Sequence, residues 1–186
     1  MDAAQFLFIL IGISVPIGAY FWRESRYRNP AFRWRQIAPA LEMRFAPNPP
    51  RLSGHWKGRE ALVCAQEDGT AIVSMPFSCP GALRLEIGPR AEVERDAGII
   101  VPDRVRFQGP EGAEFERRYM VRANPLEMGE TALDISLRQR ILAMNELRLV
   151  AASDRIDMAI PLPCEVRELR DALDILSSLA DALDGI

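Results

Sequence analysis

The chain has 186 residues, of which 48% are hydrophobic and 26% charged, and its formal net charge is −3. This length allows one ordinary domain with its own core, and the apolar content excludes a disordered or low-complexity protein. The acidic balance argues against nucleic acid as a partner, because phosphate backbones bind basic surfaces.

The first predicted element is a transmembrane helix over residues 1–22. Besides Asp2 this stretch has no charged side chain, and about 20 residues at ~1.5 Å each span the ~30 Å hydrocarbon layer. A cleaved signal peptide fits less well, because no basic residue precedes the apolar run. The small residues Gly12, Ser14 and Gly18 predict that the helix packs against another membrane helix, although glycine is also common in membrane helices generally.

A basic and aromatic juxtamembrane segment is predicted next, over residues 23–36. Its arginines follow the apolar helix, and none precedes it, so the positive-inside rule predicts a single-pass protein of the bacterial inner (plasma) membrane with its N-terminus outside. We expect the segment to lie against anionic lipid headgroups. The predicted membrane-interface residues are Trp22, Arg23, Arg26, Tyr27, Arg28, Arg33, Trp34 and Arg35.

The remaining residues, 37–186, are predicted to form a cytoplasmic domain. A short amphipathic helix is expected over residues 31–45, and the prolines at 47, 49 and 50 then predict a break in regular structure. Residues 59–66 and 70–77 predict a hairpin through a type I′ turn at Asp68-Gly69. A third strand is expected at residues 82–87, followed by a loop-rich stretch to residue 112.

The second half of this domain has clearer periodicity. Apolar and polar side chains alternate over residues 115–123, which predicts a half-exposed strand. Thr131 with Asp134 resembles a capping box at the start of a helix. Strands at residues 147–151 and 156–162 are joined through Ser153-Asp154. A last helix is predicted from about residue 163 to residue 184.

This order of elements predicts an α+β fold, with the N-terminal transmembrane helix followed by an antiparallel sheet that has helices packed on one face. The last helix carries a broad apolar face that includes Leu169, Leu173 and Leu176. Core packing explains such a face best, because it is wider than a coiled-coil seam, and a self-association surface is the alternative.

The run Phe115-Glu116-Arg117-Arg118-Tyr119-Met120-Val121, followed by an Asn-Pro break, a Leu-rich helix and a hairpin, resembles an uncharacterised bacterial membrane-anchored family of unknown function. Members of that family place an FE-x-x-F-x-V strand before a helix and a hairpin, and Tyr119 stands here where Phe is more frequent. The resemblance covers about a third of the chain. It implies the same fold and an anchor, and it implies no activity.

Residues with recognisable chemistry are few. His55 is the only histidine, and it lies between glycines, where a surface loop is the simplest interpretation. Cys64, Cys79 and Cys164 are widely spaced without a C-x-x-C pair, which favours a reducing compartment. Neither a zinc or calcium pattern nor a P-loop is present. The sequence therefore predicts no catalytic, cofactor-binding or metal-binding residue and no cofactor.

Three functional classes follow from these observations. The first is a membrane-tethered, non-enzymatic accessory or structural subunit whose helix packs among the integral membrane proteins of a larger complex. The second is a membrane-proximal module that binds a lipid or another apolar ligand. The third is an enzyme of unrecognised type. The first class is favoured because it requires no catalytic residues.

Overall fold

The structure of the protein, a computed structural model, describes residues 17, 18, 20, 29–78, 83–95, 102–144 and 146–185. Its strands are β1 (Arg44–Pro47), β2 (Pro50–Trp56), β3 (Arg59–Ala65), β4 (Thr70–Pro76), β5 (Arg84–Pro89), β6 (Asp103–Arg104), β7 (Tyr119–Asn124), β8 (Arg148–Ala152) and β9 (Arg155–Pro161). They form one sheet in the order β1-β2-β3-β4-β9-β8-β5-β7-β6. Every pair is antiparallel, in agreement with the predicted sheet.

The helices of the described residues are α1 (Pro30–Ile37), α2 (Arg90–Arg95), α3 (Gly109–Arg118), α4 (Leu126–Ala132), α5 (Ile135–Ala143) and α6 (Val166–Asp184), with a 3₁₀ turn at Ala38–Leu41. Helices α1, α3, α4, α5 and α6 contribute buried side chains to a single core cluster on one face of the sheet. Helix α2 is the exception. A Cβ on Gly88 would meet Val93 of α2 and Arg148, so α2 packs on the opposite face.

The predicted transmembrane helix requires correction. Within the described residues, no helix combines the length and the apolar character that crossing a membrane demands. The longest one, α6, has 19 residues and carries charged side chains such as Arg170 and Asp174 along its length. The fold class with an N-terminal transmembrane helix and the localisation as a single-pass inner-membrane protein are therefore contradicted. Most of the predicted anchor, residues 1–22, lies outside the described residues.

The proline-rich stretch predicted as a break is instead a strand pair. Strands β1 and β2 pair across Pro47 and Pro50, and β2 continues into β3 through a tight turn in which Lys57 and Gly58 both have positive φ. Proline is tolerated here because β1 is the edge strand and Pro50 is the first residue of β2. The predicted helix over residues 31–45 accordingly ends early, as α1 and the 3₁₀ turn.

Two predicted hairpins are confirmed. Strands β3 and β4 form the predicted hairpin, but the register differs by one residue from that of a two-residue turn. Ala65 is opposite Ala71, and the Gln66 N–H donates to the Thr70 carbonyl across a three-residue loop. Gly69 is the one residue of that loop with positive φ, so the turn is not type I′. Strands β8 and β9 pair through Ser153-Asp154 as predicted. Alternation of apolar and polar side chains identified both pairs because one face of each strand is buried.

The strand predicted over residues 115–123 begins later than expected, because its first part belongs to helix α3. Pro110 and Glu111 lie in the first turn of α3 and Arg117 in its last turn, a distribution that suits the helix dipole. The ring of Phe115 packs edge-on against Phe107, with 5.7 Å between centroids. The alternation of apolar and polar side chains over residues 115–123 is typical of a strand. The aromatic packing of Phe115 and the charges at the two ends of α3 favour the helix instead.

The predicted helix that follows is divided in two by a cap. Asp134, and not Thr131, caps α5 by accepting a hydrogen bond from the Leu137 backbone N–H at 2.6 Å. Thr131 lies in the preceding helix α4, where its hydroxyl donates to the Glu127 carbonyl. The last helix α6 begins at a capping box between Glu165 and Glu168. Its leucines at 169, 173, 176, 179 and 183 are fully buried, which confirms the core interpretation of its apolar face.

Candidate functional site

The described helices leave one face of the sheet uncovered over β1, β2, β3, β4, β9 and β8, and we call this surface the open face. Side chains alternate along each strand, so Val73 and Met75 of β4 point into the core while Ile72 lies on the open face. The sequence makes this face distinctive because its central positions are apolar, although no described helix packs on them.

The centre of the open face is a cluster of half-buried apolar side chains from four adjacent strands. Cys64 of β3 is opposite Ile72 of β4, and Ile72 is opposite Ala159 of β9. Leu62 of β3 and Val150 of β8 extend the cluster on either side. All five are intermediate in exposure. Because neighbouring strands bring these side chains together, they form one continuous apolar surface.

A polar pair lies within this apolar cluster. The Ser74 hydroxyl donates a hydrogen bond of 2.5 Å to Asp157 on the neighbouring strand, and the two residues are opposite each other in the register. Ser74 is nearly buried, so this bond satisfies a group that would otherwise cost free energy.

Arginines surround the apolar cluster, and some of them have no partner in the described part of the chain. Arg44, Arg51 and Arg155 lie at strand positions of the open face, and no hydrogen bond or ion pair joins their guanidinium groups to a described residue. Elsewhere on the sheet the guanidinium groups are engaged: Arg84 pairs with Glu86, and Arg122 donates to the Val93 carbonyl. The open face therefore presents guanidinium donors that the described part of the chain does not engage.

Two grooves cross the open face. The first groove, of about 740 Å³, is lined by Arg44, His55, Glu60, Leu62, Pro76 and Arg155 together with Glu42 and small neighbours. The second groove, of about 450 Å³, contains Asp68, Ile72, Glu92, Arg148, Val150 and Ala159 among its lining residues. Arginine therefore stands at both ends of the first groove, whereas carboxylates predominate in the second.

Cys64 is a thiol on this face. Burial raises its pKa, and the nearby Arg51 guanidinium opposes that effect. Cys64 is therefore mostly protonated at neutral pH and acts as part of the apolar surface rather than as a nucleophile.

The predicted membrane-interface residues fall in several places. Trp22, Arg23, Arg26, Tyr27 and Arg28 lie outside the described residues. Trp34 is only 1% exposed and belongs to the core, Arg33 forms an ion pair of 2.5 Å with Glu165, and Arg35 is exposed on α1. The fold therefore uses Trp34 for packing.

Of the predicted helix-packing residues, Gly12 and Ser14 lie outside the described residues, and Gly18 is exposed with open space around it.

Groups with catalytic potential are dispersed. His55 is exposed on β2 opposite Glu60, and within the described residues no three His, Cys, Asp or Glu side chains come together as a metal site would require. Cys164 is buried, and burial raises the pKa of its thiol to about 11 against a hydrogen bond from Trp34. That thiol is protonated at neutral pH and packs in the core.

Sequence reasoning missed the open face because it assigned β1 and β2 to a break. The pattern of a half-buried strand was present in residues 51–56, where the polar residues Arg51, Ser53 and His55 alternate with the buried Leu52. Lys57-Gly58 also marks a two-residue hairpin turn. The proline cluster just before this run outweighed both signals.

No protein-family model and no curated protein matches this sequence. The fold is similar to the crystal structure of the mycobacterial trehalose monomycolate transport factor A, TtfA, with a TM-score of 0.64 at 10% sequence identity. The similarity covers 84% of this chain and 95% of that chain. At such identity it concerns the fold and assigns no role to a residue of this chain. The family resemblance inferred from the residues around Phe115 stays a prediction.

Proposed function

We propose that this protein is a non-enzymatic accessory protein that binds a partner protein on the open face of its sheet. The observation that carries the proposal is the continuous half-buried cluster of Leu62, Cys64, Ile72, Val150 and Ala159, with arginines at its rim whose guanidinium groups pair with none of the described residues. Apolar centres with arginine nearby are typical of protein interfaces.

The dimensions of the face support a macromolecular partner. Six strands at about 4.8 Å spacing make the surface roughly 24 Å wide, and its two grooves run along the sheet instead of enclosing a small molecule. The fold shared with a transport factor is consistent with an accessory role. The sequence predicts that the partners are integral membrane proteins, and this stays a prediction. The proposal requires only that the partner is a protein subunit of a larger assembly.

The test compares two isoleucines in the full-length chain. Ile72→Gln places an amide in the apolar cluster of the open face, whereas Ile135→Gln makes the same change on helix α5, where Ile135 is 52% exposed. We expect Ile72→Gln to weaken binding of the copurifying partner about tenfold, since the amide lowers the apolar contribution by roughly 1–2 kcal/mol. Both variants should keep the wild-type circular dichroism spectrum. Partner recovery by Ile72→Gln equal to that of Ile135→Gln would refute the proposal.

A second candidate is binding of a lipid, a ligand with both an apolar and a polar part, and a separate cavity with a mixed lining favours it. This cavity has a volume of about 360 Å³ and lies beside the start of α6. Met144, Ile160, Pro161 and Cys164 line it together with the charged residues Glu146, Arg167, Glu168 and Asp171. Such a volume is within the range of ligand pockets, ~300–1,000 Å³, and the protein of similar fold is a trehalose monomycolate transport factor. Mass spectrometry of organic extracts of the purified protein tests this candidate, and an extract without a stoichiometric ligand would exclude it.

A further inference from the structure

The first groove of the open face has a defined direction across the sheet. Arg44 of β1 is opposite Ser53 of β2, Ser53 is opposite Leu62 of β3, and Leu62 is opposite Ser74 of β4. Arg155 of β9 closes the groove at the far end, opposite Pro76 of β4. The path from Arg44 to Arg155 crosses four strand spacings, or about 19 Å.

The two ends of this groove have the same chemistry. Arg44 and Arg155 are both exposed, and neither guanidinium group makes a hydrogen bond or an ion pair with a described residue. A guanidinium group presents a planar set of donors that matches a carboxylate in a bidentate pair. Each end of the groove therefore presents one guanidinium group to a carboxylate, and Glu42 reduces the positive field at the Arg44 end.

The middle of the groove has a different chemistry. Half-buried Leu62 provides an apolar floor, with Ser53 and Ser74 next to it. Glu60 of β3 faces the same space, opposite His55, and Glu42 lies near the Arg44 end. A carboxylate placed at the centre would be repelled by Glu60, so the middle favours an uncharged apolar group.

We propose that this groove holds an extended acidic segment of the partner protein, with carboxylates at its two ends and an apolar residue between them. This inference rests on the proposed function, since it specifies the partner for the same face. An extended chain advances about 3.3 Å per residue, so the ~19 Å between the arginines corresponds to carboxylates about six residues apart.

The test uses fluorescein-labelled peptides and anisotropy with the full-length protein. The probe is Glu-Ser-Ala-Leu-Ala-Ser-Glu, and its comparison peptides have Gln or Lys at both ends. We expect the Glu peptide to bind at least tenfold more tightly than the Gln peptide, and salt to weaken it because the contacts are ionic. Arg44→Glu and Arg155→Glu should each reduce binding of the Glu peptide at least tenfold. Arg117→Glu is the control, since Arg117 is exposed on α3.

Three results would overturn the inference. One is equal binding of the Glu and Lys peptides, and another is indifference of the Glu peptide to Arg44→Glu and Arg155→Glu. The third begins with failure of the Glu peptide to bind. In that case, loss of self-association in the arginine variants would show that the groove binds a second copy of the chain. Loss of binding to vesicles of equimolar phosphatidylcholine and phosphatidylglycerol would show that it binds lipid headgroups. If Ile72→Gln still weakens partner binding when the peptide fails, the proposed function stands and this inference alone is wrong.

Discussion

At the scale of single residues, Asp174 of helix α6 connects that helix to the β2–β3 turn through its side chain. Its carboxylate accepts a hydrogen bond of 2.9 Å from the Trp56 indole and lies 2.7 Å from the Lys57 ammonium. Burial alone raises the pKa of Asp174, but the bonds from Lys57 and Trp56 outweigh it and hold the pKa below its ordinary value of 3.8. The ionised carboxylate therefore stabilises the fold.

We predict that Asp174→Asn lowers the free energy of unfolding by about 1 kcal/mol at pH 7, because the partly exposed Lys57 pair is lost. A depressed carboxyl pKa contributes stability above the unfolded-state pKa of ~3.9 and loses it as the pH falls through the folded-state pKa. The difference from wild type should thus persist from pH 7 to 5 and shrink below about pH 4. Urea unfolding at several pH values measures it. Asp171→Asn is the control, since its pair with Arg167 is longer, at 3.8 Å.

At the scale of elements, helix α4 lies unusually close to the sheet. A Cβ built on Gly129 would stand 2.5 Å from the Ala123 Cβ and 2.8 Å from Val105 Cγ2. Ala123 belongs to β7, and both neighbours are buried. Glycine here lets the helix backbone approach the strand, and the helix covers the end of the sheet where β6 is only two residues long.

We therefore predict that Gly129→Ala destabilises the protein by about 1–3 kcal/mol, although alanine favours helices intrinsically, because α4 must move away from β7. Gly185→Ala provides the comparison, since a Cβ there meets nothing closer than 3.4 Å. Thermal unfolding followed by circular dichroism would show a lower midpoint for Gly129→Ala and an almost unchanged one for Gly185→Ala. Equal midpoints would show that the contact at α4 relaxes without cost.

At the scale of the whole molecule, the folded unit begins before the predicted domain boundary at residue 37. The buried core cluster extends from Trp34 to Leu183, and Arg33 ties helix α1 to Glu165 at the start of α6. Arg170 of α6 also donates a hydrogen bond to the Ala40 carbonyl in the 3₁₀ turn that follows α1. The segment predicted to lie against lipid headgroups therefore supplies part of the core.

We predict that a fragment of residues 29–186 keeps the nine strands and helices α1 to α6, because its residues contain the whole described core. A fragment of residues 37–186 lacks Trp34 and should lose at least ~3 kcal/mol, the typical cost of removing a buried tryptophan side chain. Denaturant unfolding of the two fragments gives the difference directly. If they proved equally stable, Trp34 would not be part of the cooperative core.

The sequence by itself determined the elements whose patterns are local. The β3–β4 and β8–β9 hairpins and the last helix followed from alternation, turn residues and helical spacing, because one side of each element is buried and the pattern repeats within a few residues. Tertiary structure decided the rest. Phe115 became helical through packing on Phe107, Trp34 entered the core, and Arg44 and Arg155 came to opposite ends of one groove. These outcomes depend on strand register and on contacts between residues far apart in the chain, which no local window of sequence records.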